Sequence, residues 1–227
     1  MKEKTSGERE LWSKVTSMLG SRKKVLGRHW SYNLLSDPKR LGFVLSRYKF
    51  AAKMTGRQKR VLELGCSEGI GTPILAEFAV SYTGVDMDSS AIATAKENWE
   101  HDKWKFVEAD FMGQRYGTFD SIISLDVIEH IHLEFEPLFF DTVRQNLGED
   151  GICLVGTPNV TSAPYASVGS QRGHVNLYDA GRLETAMRTV FHNVFMFGIN
   201  DEIVHTGYAP MTHYLMALGC NKRAGGN

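Results

Sequence analysis

Along the first sixty positions apolar residues recur at helical spacing, and beyond them they gather into short runs divided by amphipathic stretches. Leu41, Val44, Leu45, Tyr48 and Ala52 share one helical face. Asp37-Pro38 reads as a cap followed by proline in the first turn, and Gly56 as the stop. Lys39, Arg40, Arg47 and Lys53 fall among them and read as a solvated face. Seven later runs read as strands: RVLELG from Arg60, SYTGVDMD from Ser81, KFVEADF from Lys105, FDSIISLDVIEHI from Phe119, GICLVGTPN from Gly151, FHNVFMFGIND from Phe191 and THYLMALGCN from Thr212. Helices open between them at Thr72-Pro73 and Ser89, and FEPLFFDTVRQNL and YDAGRLETAMRTVF supply two more. This alternation predicts an α/β fold, with a seven-stranded, mostly parallel sheet and helices on both faces. The last two strands are joined by too little chain for a helical crossover, so they form a C-terminal antiparallel hairpin. The expected organisation is an N-terminal helical extension over 1–56 and one compact unit over 57–227.

Composition narrows the partners. Over 227 residues, 26 basic side chains balance 26 acidic ones, so no net field draws the chain to nucleic acid or to an anionic membrane. No apolar run reaches the length of a membrane span, and no membrane insertion is expected. The charged start MKEKTSGERELW lacks the apolar centre of a leader. Cys66, Cys153 and Cys220 are odd in number and form no C-x-x-C, which points to a reducing, cytoplasmic setting.

The stretch VLELGCSEGIGTP, from Val61, brings backbone close to something. Open α/β sheets bind ligands beyond the carboxyl ends of their strands. Glu63, Asp86, Asp110 and Asp126 all stand at or near such ends. A pyrophosphate site wants glycines and a helix N-terminus, not carboxylates on every side. GCSEGIG also lacks G-x-G-x-x-G spacing and the Lys-Ser/Thr pair of a P-loop. A ligand with a ribose, an adenine, a positive charge and no phosphate fits better, and S-adenosylmethionine is such a ligand.

From Val61 onward the chain resembles the class I S-adenosylmethionine-dependent methyltransferases, whose fold is Rossmann-like. Within them it is similar to the small-molecule enzymes of ubiquinone-pathway and sugar- or glycan-pathway O-methylation. ELGCSEG resembles the family's first motif, which implies cofactor contacts from Glu63, Gly65, Cys66, Ser67 and Gly69. Ser67 stands where glycine is commoner, which is tolerated if its φ is negative. VDMD resembles the second motif, implying that Asp86 holds the ribose hydroxyls and Met87 packs on adenine. EADF implies Asp110 on the adenine amino group and Phe111 through its amide. SLDVIEHI implies Leu125 and Asp126 at the methionine end, where Tyr48 of the run DPKRLGFVLSRYKFAAKM also belongs.

The resemblance implies transfer of a methyl group to a small polar metabolite, at a hydroxyl of a sugar or phosphorylated compound. N-methylation of an amine or amino-sugar is the alternative, and a non-catalytic binding partner with the same fold is a third reading. His130, beside Glu129, and His174, in the long loop VTSAPYASVGSQRGHVN, are the candidate catalytic groups. Asn159, Arg172, Asn176 and Tyr178 are candidate acceptor contacts. RHWSYN, with Trp30, reads equally as a lid and as a packing segment. His130-x-His132 is not a metal-ligand spacing on a helix, so no metal is expected. Enzymes of this fold often pair, and a homodimer is the expected assembly.

Overall fold

The computed structural model describes residues 2–21 and 23–224. At its centre lies β1 (Lys59–Leu64), where Val61, Leu62 and Leu64 are fully buried. It pairs in parallel with β2 (Ala79–Asp86) on one side and β4 (Phe119–Leu125) on the other. The sheet runs outward to β3 (Trp104–Glu108) beyond β2, and to β5 (Leu147–Pro158) beyond β4. On the far side of β5 the direction reverses: β8 (Tyr214–Lys222) lies antiparallel between β5 and β6 (Phe191–Asn200). The expected hairpin is therefore present. Among the described residues the sheet has eight strands rather than seven, in the order β3-β2-β1-β4-β5-β8-β6-β7. The extra one, β7 (Ile203–His205), is three residues at the edge, too short for a periodic signal.

Alternating side chains divide the core between the two faces. Leu62, Leu64, Cys153, Val155, Leu215 and Ala217 meet α6 (Glu136–Asn146) and α8 (Ala180–Met187). Val61, Ile123, Leu154 and Met216 meet α3 (Lys39–Thr55), α4 (Thr72–Ala76) and α5 (Ser89–Trp99). Two more helices, α1 (Lys2–Met18) and α2 (Arg28–Ser36), precede α3.

Three boundaries differ from expectation. Asp37 ends α2 instead of capping α3. The fourth strand stops at Leu125, and Ile128–His130 forms a single 3-10 turn. The long loop holds a 3-10 segment, Val160–Tyr165, and a short helix, α7 (Val168–Gly173), whose free amide at Ser170 is capped by Ser167 Oγ at 3.2 Å.

Candidate active site

The carboxyl ends of β1, β2 and β4 open into a cavity of about 1300 Å³, with α2, α3 and the α7 segment contributing further walls. The turn after β1 reverses tightly under it. Gly65 and Gly69 take φ of +81° and +70°, and Ser67 between them takes +47°. The expectation of a negative φ at Ser67 is thus corrected. A left-handed serine costs about 1–2 kcal/mol, and here its amide is turned to donate to Asp86 Oδ2 at 2.8 Å. A side chain at Gly65 would also place Cβ 2.2 Å from Val127 Cγ2, so the position is closed on both counts.

Asp86, at the end of β2, is held from two sides. Ser67 N donates to one oxygen and Asp88 N to the other, at 2.9 Å. Gly65, Cys66, Ser67, Asp86 and Met87 line the cavity, as do Asp110, Phe111, Leu125 and Asp126. Asp110 is exposed, with one oxygen accepting from Met112 N at 3.0 Å.

Glu63 and Gly69 do not line the cavity. Glu63 lies beneath the turn, fully buried, and its carboxylate accepts from the hydroxyls of Tyr48, at 2.6 Å, and Tyr82. Burial pushes its pKa up to about 7 against the pull of the two hydroxyls. Its part is to fix Tyr48, whose ring does line the cavity and packs on Gly71, where a Cβ would lie 2.1 Å away. Gly69 instead gives room to Thr72, Trp99 and Phe106.

Arg47 overturns its reading as a solvated charge. It reaches into the cavity, donating through Nη1 to both oxygens of Asp126 at 2.9 and 3.0 Å, with its guanidinium 3.5 Å from the Tyr214 ring centre. It stands three residues after Val44, on the apolar stripe of α3, and that placement is the signal in the sequence. Trp30 lines the cavity too. His29 N and Trp30 N donate to Glu68 at 2.6 and 3.2 Å, so the start of α2 is tied to the glycine turn.

At the far wall Glu129, His130 and His174 converge, with one ligand-type atom from each lying within 4.8 Å of the others. Glu129 is fully buried. Thr157 Oγ1 donates to its Oε2 at 3.0 Å, while Oε1 has no partner among the described residues. Burial first, and Asp126 second, raise its pKa. His130 Nδ1 lies 2.8 Å from Gly173 O, and the two imidazoles meet edge-on at 5.0 Å. The Glu129 carbonyl accepts from Val175 N and Asn176 N at 2.9 and 3.0 Å, which anchors the end of α7 beside it. Burial, then His130, lower the pKa of His174.

Of the acceptor candidates only Asn159 lines the cavity. Asn176 and Tyr178 are corrected: both are buried in a network with Glu136 and Arg182, where Arg182 donates to Glu136 at 2.6 Å. Arg172, on α7, is exposed and outside the lining.

The donor set suits an amino-acid nucleoside. Carboxylates (Asp86, Asp110, Asp126) await hydroxyl and amino donors. Trp30 Nε1 and Arg47 Nε are buried donors without partners among the described residues, and want an acceptor such as a carboxylate. A pyrophosphate would face more carboxylates than cations here. S-adenosylmethionine fits.

Known proteins agree. The family model described as "Methyltransferase domain" matches residues 37–190. A ubiquinone biosynthesis O-methyltransferase of Glaesserella parasuis is 28% identical over 116 residues, 47% of this chain and 48% of that protein. A "Probable S-adenosylmethionine-dependent methyltransferase" of Mycobacterium tuberculosis is 27% identical over 155 residues, 63% of this chain and 55% of its own. The chain thus spans about half the length of these curated relatives. Among solved structures, the N-methyltransferase NodS of Bradyrhizobium japonicum, in complex with S-adenosyl-L-homocysteine, superposes with a TM-score of 0.62 at 17% identity, covering 84% of this chain and 91% of that one. At that identity the likeness is one of fold.

Proposed function

The chain belongs to the methyltransferase-domain family, and from that premise we propose that it transfers the methyl group of S-adenosylmethionine to a hydroxyl of a small polar metabolite, a sugar or phosphorylated compound. The cofactor supplies a methyl carbon activated by its sulfonium, so the chain's own groups have to bind, align and manage a proton. Asp86, oriented by Ser67 N and Asp88 N, accepts from the ribose hydroxyls. Asp110 and the Phe111 amide meet the adenine edge, and Met87 covers its face. Asp126, held by Arg47, and the free donors Arg47 Nε and Trp30 Nε1 serve the amino-acid end.

The observation that carries the hydroxyl reading is the convergence of Glu129, His130 and His174 on the cavity wall. A hydroxyl loses its proton as the new bond forms and gains from groups that handle it, whereas a neutral amine does not need them. The lowered pKa of His174 keeps its imidazole neutral, which suits that task. Asn159, Ser162, Ser167 and Ser170 also line the cavity and suit the hydroxyls of a polyol. The amine reading would use Asp126 and Glu129 to hold the nitrogen, but Asp126, held by Arg47, is assigned here to the cofactor's amino-acid end.

The test is to incubate the protein with S-adenosylmethionine and panels of sugars, phosphosugars and amines, and to locate the added methyl by mass spectrometry. An O-methyl product is expected. Methylation confined to amines contradicts the reading.

A further inference from the structure

The three side chains at the far wall have more in common than reach. Glu129 Oε1 is a fully buried carboxyl oxygen with no hydrogen-bond partner among the described residues, an arrangement that costs roughly 1–3 kcal/mol unless something meets it. Its other oxygen is occupied by Thr157. His130 Nδ1, facing the Gly173 carbonyl, must carry the hydrogen of that contact, which leaves Nε2 as the ring atom with a free lone pair. A ligand histidine oriented by donating its other nitrogen to a carbonyl is the usual outer support of a metal site. The chain around His174 is pinned to the same place by two amides on the Glu129 carbonyl.

We propose that Glu129, His130 and His174 form a site for one divalent transition ion, of the Zn²⁺ or Co²⁺ kind, with its open coordination positions facing the cavity. Two imidazoles and one carboxylate favour such an ion over Mg²⁺ or Ca²⁺, which take oxygen ligands. Three protein ligands leave the fourth position of a tetrahedral ion to substrate. Bonds of about 2.0–2.2 Å set neighbouring ligand atoms roughly 3–4 Å apart, so the 4.8 Å span closes with a small inward movement, for which the exposed His130 ring has room. The spacing of the sequence hides this site, because His174 comes from a different segment.

The role of the ion rests on the hydroxyl reading above; its binding does not. A coordinated acceptor hydroxyl is both positioned and acidified. Its O–H bond breaks with the proton passing to water in the cavity. The O–CH₃ bond forms as the S–CH₃ bond breaks, and that electron pair stays on sulfur.

The experiment strips the full-length protein with a chelator and titrates it, without cofactor or acceptor, with Co²⁺ read by visible absorption and Zn²⁺ read by calorimetry. One equivalent is expected to bind. Affinity falls at least tenfold in Glu129→Gln and in His174→Ala, and is unchanged in His192→Ala, whose ring is on the exposed side of β6. Because Glu129 is buried, His174→Ala decides if Glu129→Gln does not fold. Wild type binding no more tightly than His174→Ala overturns the site. O-methylation at an undiminished rate by stripped protein overturns the ion's role in transfer instead, and returns the trio to proton handling without an ion. A metal-binding protein that methylates only amines leaves the site standing and removes the hydroxyl reading instead.

Discussion

Glu63 is a carboxyl enclosed with two tyrosine hydroxyls, and its proton affinity reports on the floor of the site. Its pKa rises from the ordinary 4.5 to about 7, so the native state holds the proton more tightly than the unfolded chain does. The resulting stabilisation is complete below about pH 4.5 and is lost as pH rises through about 7. It amounts to something on the order of 3 kcal/mol. Chemical denaturation from pH 4.5 to 8 should show this fall in wild type and a flatter profile in Glu63→Gln; parallel profiles would assign the dependence to other groups. Asp86→Ala removes acceptors for hydrogen bonds to a charged group and should weaken S-adenosylmethionine binding by about 1.5–3 kcal/mol in calorimetry, with cooperative unfolding retained. Wild-type affinity in that variant excludes Asp86 as the ribose ligand. At this scale the sequence reading placed Asp86, Asp110 and Asp126 on the cavity because the end of a parallel strand is a location any α/β pattern reveals. It misplaced Asn176 and Tyr178 because their partners, Glu136 and Arg182, lie on separate helices that only packing brings together. Ser67 was misjudged for a local reason: the turn needs a left-handed residue there, and serine accepts it.

Among elements, the contact between α2 and the glycine turn joins the N-terminal helices to the site. Glu68 accepts the first free amides of α2, and Asn98 of α5 holds the preceding segment through Val25, with bonds of 3.0 and 2.7 Å. Loss of a cap of this kind costs about 1 kcal/mol. Glu68→Ala should therefore speed hydrogen exchange at His29 and Trp30 and lower cofactor affinity by several-fold, leaving the exchange of β1 and β4 amides unchanged. Equal protection in both proteins would mean that α2 is held by apolar packing alone. The strands and most helices could be read from period and length, since a two-sided sheet enforces apolar runs. Element ends could not. Asp37 can close one helix as readily as open the next, and the polar stretch after β5 hid α7 because six residues carry no periodic signal.

At the scale of the molecule, sheet order decides everything about the site. Crossing from β3-β2-β1 to β4-β5 places the carboxyl ends of β1 and β4 side by side, and the cavity opens there. A mostly parallel sheet with helices on both faces followed from alternating strands and helices alone. The wall carrying Glu129, His130 and His174 did not, because it is assembled from the turn after β4 and the distant end of α7. Among the described residues no helix is long and apolar enough to cross a membrane, and the chain's charges balance, so the field around the cavity comes from local carboxylates and arginines. The most direct measurement of the account compares wild type with His174→Ala and His130→Ala in methylation of the identified acceptor and in S-adenosylmethionine binding. The account predicts turnover lower by about 10²–10⁴-fold in at least one variant, with cofactor affinity unchanged. Wild-type turnover in both would contradict it.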